Sequence, residues 1–196
     1  CVKVCPEHAL KLVEHDASNL VVVDPEAEEK AAQKAKAHEE AEKAIELLST
    51  SDDSIKTAEN ARLVIEAIIE NVEAKQNLFA QLDAVLPVEV PICSNTSGLR
   101  ITDISAKCVH PERTVTTHFW LPAHLVPLVE VVMGDKTDEA VAVAVRDELR
   151  KWKKAPVLVK RDLPGQLANR VFQAIIRESI DIVASGLASA EDVDTA

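Results

Sequence analysis

Glycine is scarce in this 196-residue sequence, which contains only Gly98, Gly134, Gly165 and Gly186. Their spacing excludes the G-x-G-x-x-G turn, which brings backbone amides against a pyrophosphate. The opening segment, CVKVCPEHAL, has no glycine, and Pro6 lacks an amide donor. A glycine-rich phosphate-binding loop is therefore expected to be missing or degenerate.

Long apolar runs and an excess of positive charge are also lacking. No run approaches the roughly 20 residues that cross a bilayer, and the N-terminus lacks the basic-then-apolar order of a secretory signal. The net charge of -11 argues against a binder of phosphate backbones, because such proteins depend on clustered lysine and arginine. We expect no membrane partner, no nucleic-acid partner and a cytoplasmic location.

Cysteine is sparse and shows no motif. Cys1, Cys5, Cys93 and Cys108 form no CxxC pair, and their spacing does not suggest a disulfide framework. A zinc site made by Cys1, Cys5 and His8 would lack a second ligand pair at suitable spacing. We therefore expect no metal site.

Short apolar runs alternate with helical patterns along the chain. The strand-like runs are 20–23, 63–65, 90–93, 114–120, 125–132 and 156–159. The helix-like segments are 25–48, 72–85, 137–152 and 166–184. Strands that alternate with helices predict an α/β fold, with a mainly parallel sheet covered by helices on both faces. Residues 189–192 have the pattern of another helix start, where the chain breaks off.

Polar residues directly after apolar runs are candidates for ligand binding, because ligands of open parallel sheets bind beyond the carboxyl ends of the strands. Asp24 follows the run 20–23, and the cluster 94–97 follows the run 90–93. An acid at the position of Asp24 can accept the ribose hydroxyls of adenosine. The alternative is a turn-forming or helix-capping aspartate before Pro25.

His118 and Glu130 form the sharper candidate pair. His118 lies beside Phe119 and Trp120 near the end of a β-rich run, and Glu130 interrupts the apolar stretch 128–132. A carboxylate between valines is costly unless it has a partner. Two adjacent strands would let Glu130 fix the imidazole tautomer and stabilise the protonated ring. The alternative is a core histidine and a glutamate on an edge strand.

Several separated motifs occur in one order: LVIEAIIENVEAKQNLFAQLD from Leu63, then SNTSGL, HFWLPAHLVPLVEVV, DLPGQLANR and SGLASAEDVD. In this order and approximate spacing, the sequence resembles the NAD-binding domain of 3-hydroxyacyl-CoA dehydrogenases. The resemblance extends from about Leu12 to Ala196 and is strong from Leu63 onward. The sequence is also similar to relatives that oxidise other 3-hydroxy acids, including gulonate dehydrogenase and lambda-crystallin.

The resemblance implies a Rossmann-like fold whose first strand and glycine loop are missing or degenerate. Residues 1–186 would form the N-terminally incomplete NAD-binding domain, and residues 187–196 would begin a truncated helical domain. The full-length form would be a homodimer. NAD is the implied cofactor, and the substrate would be a small molecule, either an acyl-CoA of fatty-acid β-oxidation or a 3-hydroxy acid.

The resemblance also implies roles for individual residues. His118 would remove the proton of the 3-hydroxyl while hydride leaves for NAD, and Glu130 would orient His118. The implied substrate-binding residues are Ser97 and Asn169, and the implied cofactor-binding residues are Asp24, Glu70, Lys75 and Asn95.

The sequence departs from the family pattern at two further positions. Leu121 stands where the family has asparagine, and Gln166 replaces the usual aromatic residue after Pro164-Gly165. Three hypotheses follow: oxidation of a 3-hydroxyacyl-CoA, oxidation of a free acid such as gulonate or carnitine, and a non-catalytic domain of the same fold.

Overall fold

The computed structural model describes residues 36, 38, 39 and 42–196. The chain divides into two units, residues 1–50 and residues 51–196. In the first unit, the described residues between 36 and 46 are helical, as predicted for the segment 25–48. The predicted strand 20–23 and the candidate residue Asp24 lie outside the described residues.

Five strands of the second unit form one sheet in chain order. They are β1 (Val64–Glu66), β2 (Ile92–Ser94), β3 (Thr114–Phe119), β4 (Leu128–Val132) and β5 (Ala155–Val159). Each strand pairs with its neighbour in parallel, except that β3 and β4 are antiparallel. The prediction of a mainly parallel sheet is therefore confirmed.

The helices of this unit are α1 (Ser54–Ala58), α2 (Val72–Val85), α3 (Ile101–Ile104), α4 (Glu139–Lys151), α5 (Ala168–Ala184) and α6 (Ala190–Thr195). Two 3-10 turns, Ser105–Lys107 and Pro111–Arg113, follow α3. Helix α1 was not predicted, because residues 49–54 are typical of a turn. Asp53 caps α1 by accepting the amide hydrogens of Ile55 and Lys56, and aspartate favours caps and turns alike.

Helices cover both faces of the sheet. Consecutive strand residues point to opposite faces, so Ile92 and Cys93 belong to different core clusters. On the face of Ile92, α2 and α3 contribute Phe79, Leu82, Ile101 and Ile104. On the face of Cys93, α4 contributes Ala142, Val145 and Leu149.

Most element boundaries differ from the prediction by one or two residues, and the starts of β4 and α5 differ for reasons that the structure shows. The strand expected from residue 125 begins at Leu128, because the amides of Leu125 and Val126 both donate to the carbonyl of Pro122 and form a turn. The helix expected from residue 166 begins at Ala168. Gln166 has a φ of 50°, which excludes it from the right-handed helix.

The apolar pattern of residues 166–184 correctly predicts the helix α5, but it does not predict how exposed the apolar side chains of this helix are. No residue of α5 is buried, and Phe172 and Ile175 are more than half exposed. The helix start at residues 189–192 is confirmed, with Ser189 capping α6 through the amide of Asp192. Within the described part of the chain, no helix has the length and apolarity needed to cross a bilayer.

A buried ion pair joins the end of α2 to the start of β3. Arg113 is 1% exposed, and its guanidinium donates to the carboxylate of Asp83 at 2.7 and 3.0 Å. The other oxygen of Asp83 accepts the amides of Val109 and His110. Arg113 also donates to the main-chain carbonyls of residues 86, 87 and 90. One side chain thus fixes the loop that leads into β2.

Replacing Arg113 with leucine should destabilise the fold by about 3 to 5 kcal/mol, because Asp83 would stay buried without its cation. The matched control is Arg100→Leu, which breaks the partly exposed pair with Asp103 and should cost at most about 1 kcal/mol. Urea unfolding followed by circular dichroism measures both losses. Losses of similar size in the two variants would contradict the structural role of Arg113.

Candidate active site

The pairing of β3 with β4 places His118 directly opposite Glu130. In an antiparallel pair, opposite residues point to the same face of the sheet. Nδ1 of His118 lies 2.9 Å from Oε2 of Glu130, with Glu130 fully buried and His118 8% exposed. Because Nδ1 is bound to the carboxylate, proton exchange with a ligand falls to Nε2 of His118.

Glu130 accepts hydrogen bonds from four groups. On Oε2 it receives Nδ1 of His118 and Nε1 of Trp120, the latter at 2.8 Å. On Oε1 it receives the amides of Leu167 and Ala168 at 2.9 and 2.8 Å. Burial acts to raise the pKa of Glu130, but these hydrogen bonds outweigh it and lower the pKa to about 2. The carboxylate is therefore ionised at neutral pH.

The start of α5 provides two of these donors. The first amides of a helix have no partner within the helix, and the helix dipole favours an anion there. Gly165 and Gln166, both with positive φ, turn the chain so that the amides of Leu167 and Ala168 reach Glu130. Asn169 follows Ala168 directly and is half-buried. Its position is thus tied to the His118–Glu130 pair.

A second polar cluster lies at the carboxyl ends of β1 and β2. Glu66 accepts Nζ of Lys75 at 2.7 Å on one oxygen and Oγ of Ser94 at 2.6 Å on the other. Lys75 is 1% exposed, and its ammonium also contacts the carbonyl of Ile68 and lies 3.5 Å from the carboxylate of Glu70. The charge of Lys75 is thus largely balanced within the protein.

Glu70 organises the loop that follows β2. One of its oxygens accepts Oγ1 of Thr96 and the amides of Ser97 and Gly98. Partial burial acts to raise the pKa of Glu70, but the hydrogen bonds from this loop and the charge of Lys75 lower it below its ordinary value. Glu70 and Ser97 are both exposed at this edge of the sheet.

Two contacts connect this loop with the histidine site. Oδ1 of Asn95 accepts the amide of Phe119, the residue after His118. The carbonyl of Thr96 accepts Nε2 of Gln166, directly before the amides that hold Glu130. The segments that carry Ser97, His118, Glu130 and Asn169 are therefore adjacent.

Three groups at the site were not predicted as site residues: Trp120, Glu66 and the amides of Leu167 and Ala168. The spacing of His118 and Trp120 is a usable signal, because residues two apart on a strand share a face. Glu66 ends an apolar run, where a buried carboxylate also needs a partner. Nothing in the sequence indicates which carboxylate the amides of α5 would bind.

Comparison with known proteins identifies the domain. The profile described as the NAD binding domain of 3-hydroxyacyl-CoA dehydrogenase matches residues 6–163. The chain belongs to this family. NAD is the cofactor of this family of domains.

Relatives in the family differ in substrate. The chain is 37% identical over 145 residues to the 5-formyl-3-hydroxy-2-methylpyridine 4-carboxylate 5-dehydrogenase of Mesorhizobium japonicum, covering 74% of this chain and 47% of the relative. It is 40% identical over 141 residues to the probable 3-hydroxybutyryl-CoA dehydrogenase of Bacillus subtilis (72% and 49%). It is 35% identical over 147 residues to the L-carnitine dehydrogenase of Streptomyces coelicolor (75% and 46%).

A solved structure shows the same fold. The crystal structure of a 5-formyl-3-hydroxy-2-methylpyridine 4-carboxylic acid 5-dehydrogenase, an NAD+ dependent dismutase, aligns with a TM-score of 0.68 and 35% identity. The alignment covers 88% of this chain and 59% of that one. The chain spans about half the length of the curated relatives that it matches.

The residues at the carboxyl edge fit the nicotinamide half of NAD in chemical type. Glu70 and Ser97 are exposed, and Asn95 is half-buried, so a carboxylate, a hydroxyl and an amide are available there. Such groups pair with ribose hydroxyls and a carboxamide. The buried ammonium of Lys75 is engaged by Glu66 and lies 3.5 Å from Glu70, so it supports this edge of the sheet from within the protein. Asp24, the predicted partner of the adenine ribose, lies outside the described residues.

The low pKa of Glu130 predicts a pH-dependent contribution to stability. A pKa that folding lowers from 4.5 to about 2 stabilises the fold above the unfolded value and loses this effect as pH falls through the folded value. The free-energy difference between the parent and Glu130→Gln should therefore shrink by on the order of 3 kcal/mol from about pH 5 to about pH 2.

Urea unfolding at several pH values measures this difference. The control is Glu178→Gln, which changes an exposed glutamate on α5. It should change the free energy of unfolding very little at any pH. A Glu130→Gln difference that is constant with pH would show that the carboxylate is not stabilised as the geometry indicates.

Proposed function

We propose that the protein containing this chain oxidises the 3-hydroxyl of a 3-hydroxyacyl-CoA to the 3-keto group with NAD, and that His118 is the base. The observation that carries the proposal is the contact between Nδ1 of His118 and the fully buried, ionised Glu130. The 40% identity to a probable 3-hydroxybutyryl-CoA dehydrogenase supports the choice of substrate.

In this proposal, Nε2 of His118 accepts the proton of the substrate hydroxyl as that oxygen becomes a carbonyl oxygen. Glu130 stabilises the imidazolium that forms, and the contact at Nδ1 keeps Nε2 directed away from the carboxylate. In the reverse direction His118 returns the proton. When bound, NAD would supply the acceptor for the hydride from the carbon that carries the hydroxyl.

Ser97 and Asn169 would orient the substrate oxygen in this mechanism. Ser97 is exposed on the loop after β2, and its amide is held by Glu70. Asn169 lies in the first turn of α5, next to an amide that binds Glu130. Both side chains are thus carried by segments that the protein fixes relative to His118, which favours productive orientation.

Replacing His118 with glutamine in the full-length gene product should lower kcat for 3-hydroxybutyryl-CoA oxidation by about 10² to 10⁴-fold, with a smaller effect on KM, because a positioned base acts in the transition state. NADH absorbance follows the reaction. Trp152→Phe, a change at the residue that caps the C-terminus of α4, should retain the parent rate. Equal rates for the parent and His118→Gln would remove His118 from the mechanism.

A free 3-hydroxy acid is the second candidate substrate, because Leu121 differs from the family asparagine. This leucine is 83% exposed in the loop between β3 and β4, where the family places a polar side chain. The 35% identity to an L-carnitine dehydrogenase also supports this candidate.

A substrate panel separates the candidates. The full-length gene product is assayed with 3-hydroxybutyryl-CoA, free 3-hydroxybutyrate, gulonate and L-carnitine. We expect kcat/KM to be higher for the thioester than for each free acid. A preference for a free acid would replace the first candidate with the second, and no NAD reduction with any of the four would favour a non-catalytic domain.

A further inference from the structure

Trp120 contacts both members of the proposed catalytic pair. Nε1 of Trp120 donates to Oε2 of Glu130 at 2.8 Å, the same oxygen that receives Nδ1 of His118. The rings of Trp120 and His118 have centroids 5.7 Å apart and an interplanar angle of 57°. His118 on β3 and Trp120, directly after β3, therefore share a single carboxylate oxygen.

This sharing has an electrostatic consequence. A carboxylate oxygen that already accepts one hydrogen bond has less electron density to offer to a second donor. The other oxygen of Glu130 accepts the amides of Leu167 and Ala168. Both oxygens therefore accept hydrogen bonds from groups other than His118. We propose that Trp120 is a positioning residue that acts on His118 through Glu130: its indole N–H competes with Nδ1 of His118 for Oε2 and so limits how strongly the carboxylate stabilises the protonated imidazole.

The surroundings of His118 supply few other charges. Among the described contacts, Glu130 on β4 is the charged group that touches the ring. At the start of α5, the neutral amides of Leu167 and Ala168 bind Glu130, and the guanidinium of Arg170 contacts the carbonyl of Pro164. The loop between β3 and β4 includes His124. Its carbonyls at Ala123 and Val126 accept Nζ of Lys154, which lies directly before β5.

Trp120→Phe tests the proposal, because phenylalanine keeps an aromatic ring and removes the N–H donor. Proton NMR of the 196-residue chain follows the titration of the His118 ring, whose signal is assigned by its loss in His118→Gln. We expect the titration midpoint to rise in Trp120→Phe, because Oε2 of Glu130 then accepts the imidazolium without a competing donor. Trp152→Phe should leave it unchanged.

An unchanged or lower midpoint in a folded Trp120→Phe variant would overturn the proposal. A purely structural role of the indole would reduce stability without raising the midpoint. Circular dichroism establishes that each variant is folded.

A second readout does not require Trp120 to be replaced. The chain has two tryptophans, so Trp152→Phe leaves Trp120 as the sole indole emitter. A protonated imidazole quenches a neighbouring indole, so the emission should fall over the same pH range in which the NMR signal of His118 changes. Adding His118→Gln should abolish this step. Its absence from the Trp152→Phe chain would overturn the contact itself.

The catalytic meaning of this inference rests on the proposed function, but neither titration uses substrate or NAD. If the titrations do not give the expected results, His118 remains the proposed base, but Trp120 does not control how strongly Glu130 stabilises its protonated form. Normal titrations in a protein that oxidises no 3-hydroxy compound would instead reject the proposed function alone.

Discussion

The buried carboxylate of Glu130 is the interaction on which the arrangement of the site depends. An ionised group in a sheet interior is strongly unfavourable unless hydrogen bonds replace its lost water. Glu130 meets this requirement with donors from two other elements: two side chains of the β3 segment and two amides at the start of α5. The same bonds that keep the charge buried therefore determine where His118 and the first turn of α5 lie.

The cluster around Glu66 solves the same problem with a different donor. Lys75 balances Glu66 by charge, whereas Glu130 is held by an imidazole, an indole and a helix N-terminus. Because the partners of Glu130 are neutral or can gain a proton, its negative charge can stabilise a proton that His118 accepts during the reaction. The charge of Glu66 is already balanced by the permanent ammonium of Lys75. The two buried acids are thus suited to different tasks: Glu66 to holding the edge of the sheet, and Glu130 to supporting a titratable group.

Much of the fold is predictable from the sequence because apolar periodicity and alternating elements reflect burial. The order of strands, the antiparallel step between β3 and β4 and the short α1 are not, since they depend on the register and on caps whose residues favour turns equally well. At the site, Glu130 is identifiable because a carboxylate among valines needs a partner. The engagement of Lys75 by Glu66 is not identifiable, because it brings together residues nine apart on different elements.

The contact between Trp120 and Glu130 could not be predicted from the sequence. The position of Trp120 two residues from His118 indicates a shared face, but sharing a face does not determine which atoms meet. That depends on the register, which sets His118 opposite Glu130 and so brings the indole N–H within reach of the same oxygen. A one-residue slip would move every side chain of β3 to the other face and break both contacts at once. The register of one antiparallel strand pair thus controls the stability of the buried acid and the proton affinity of the proposed base together, so substitutions that affect one should be measured for both.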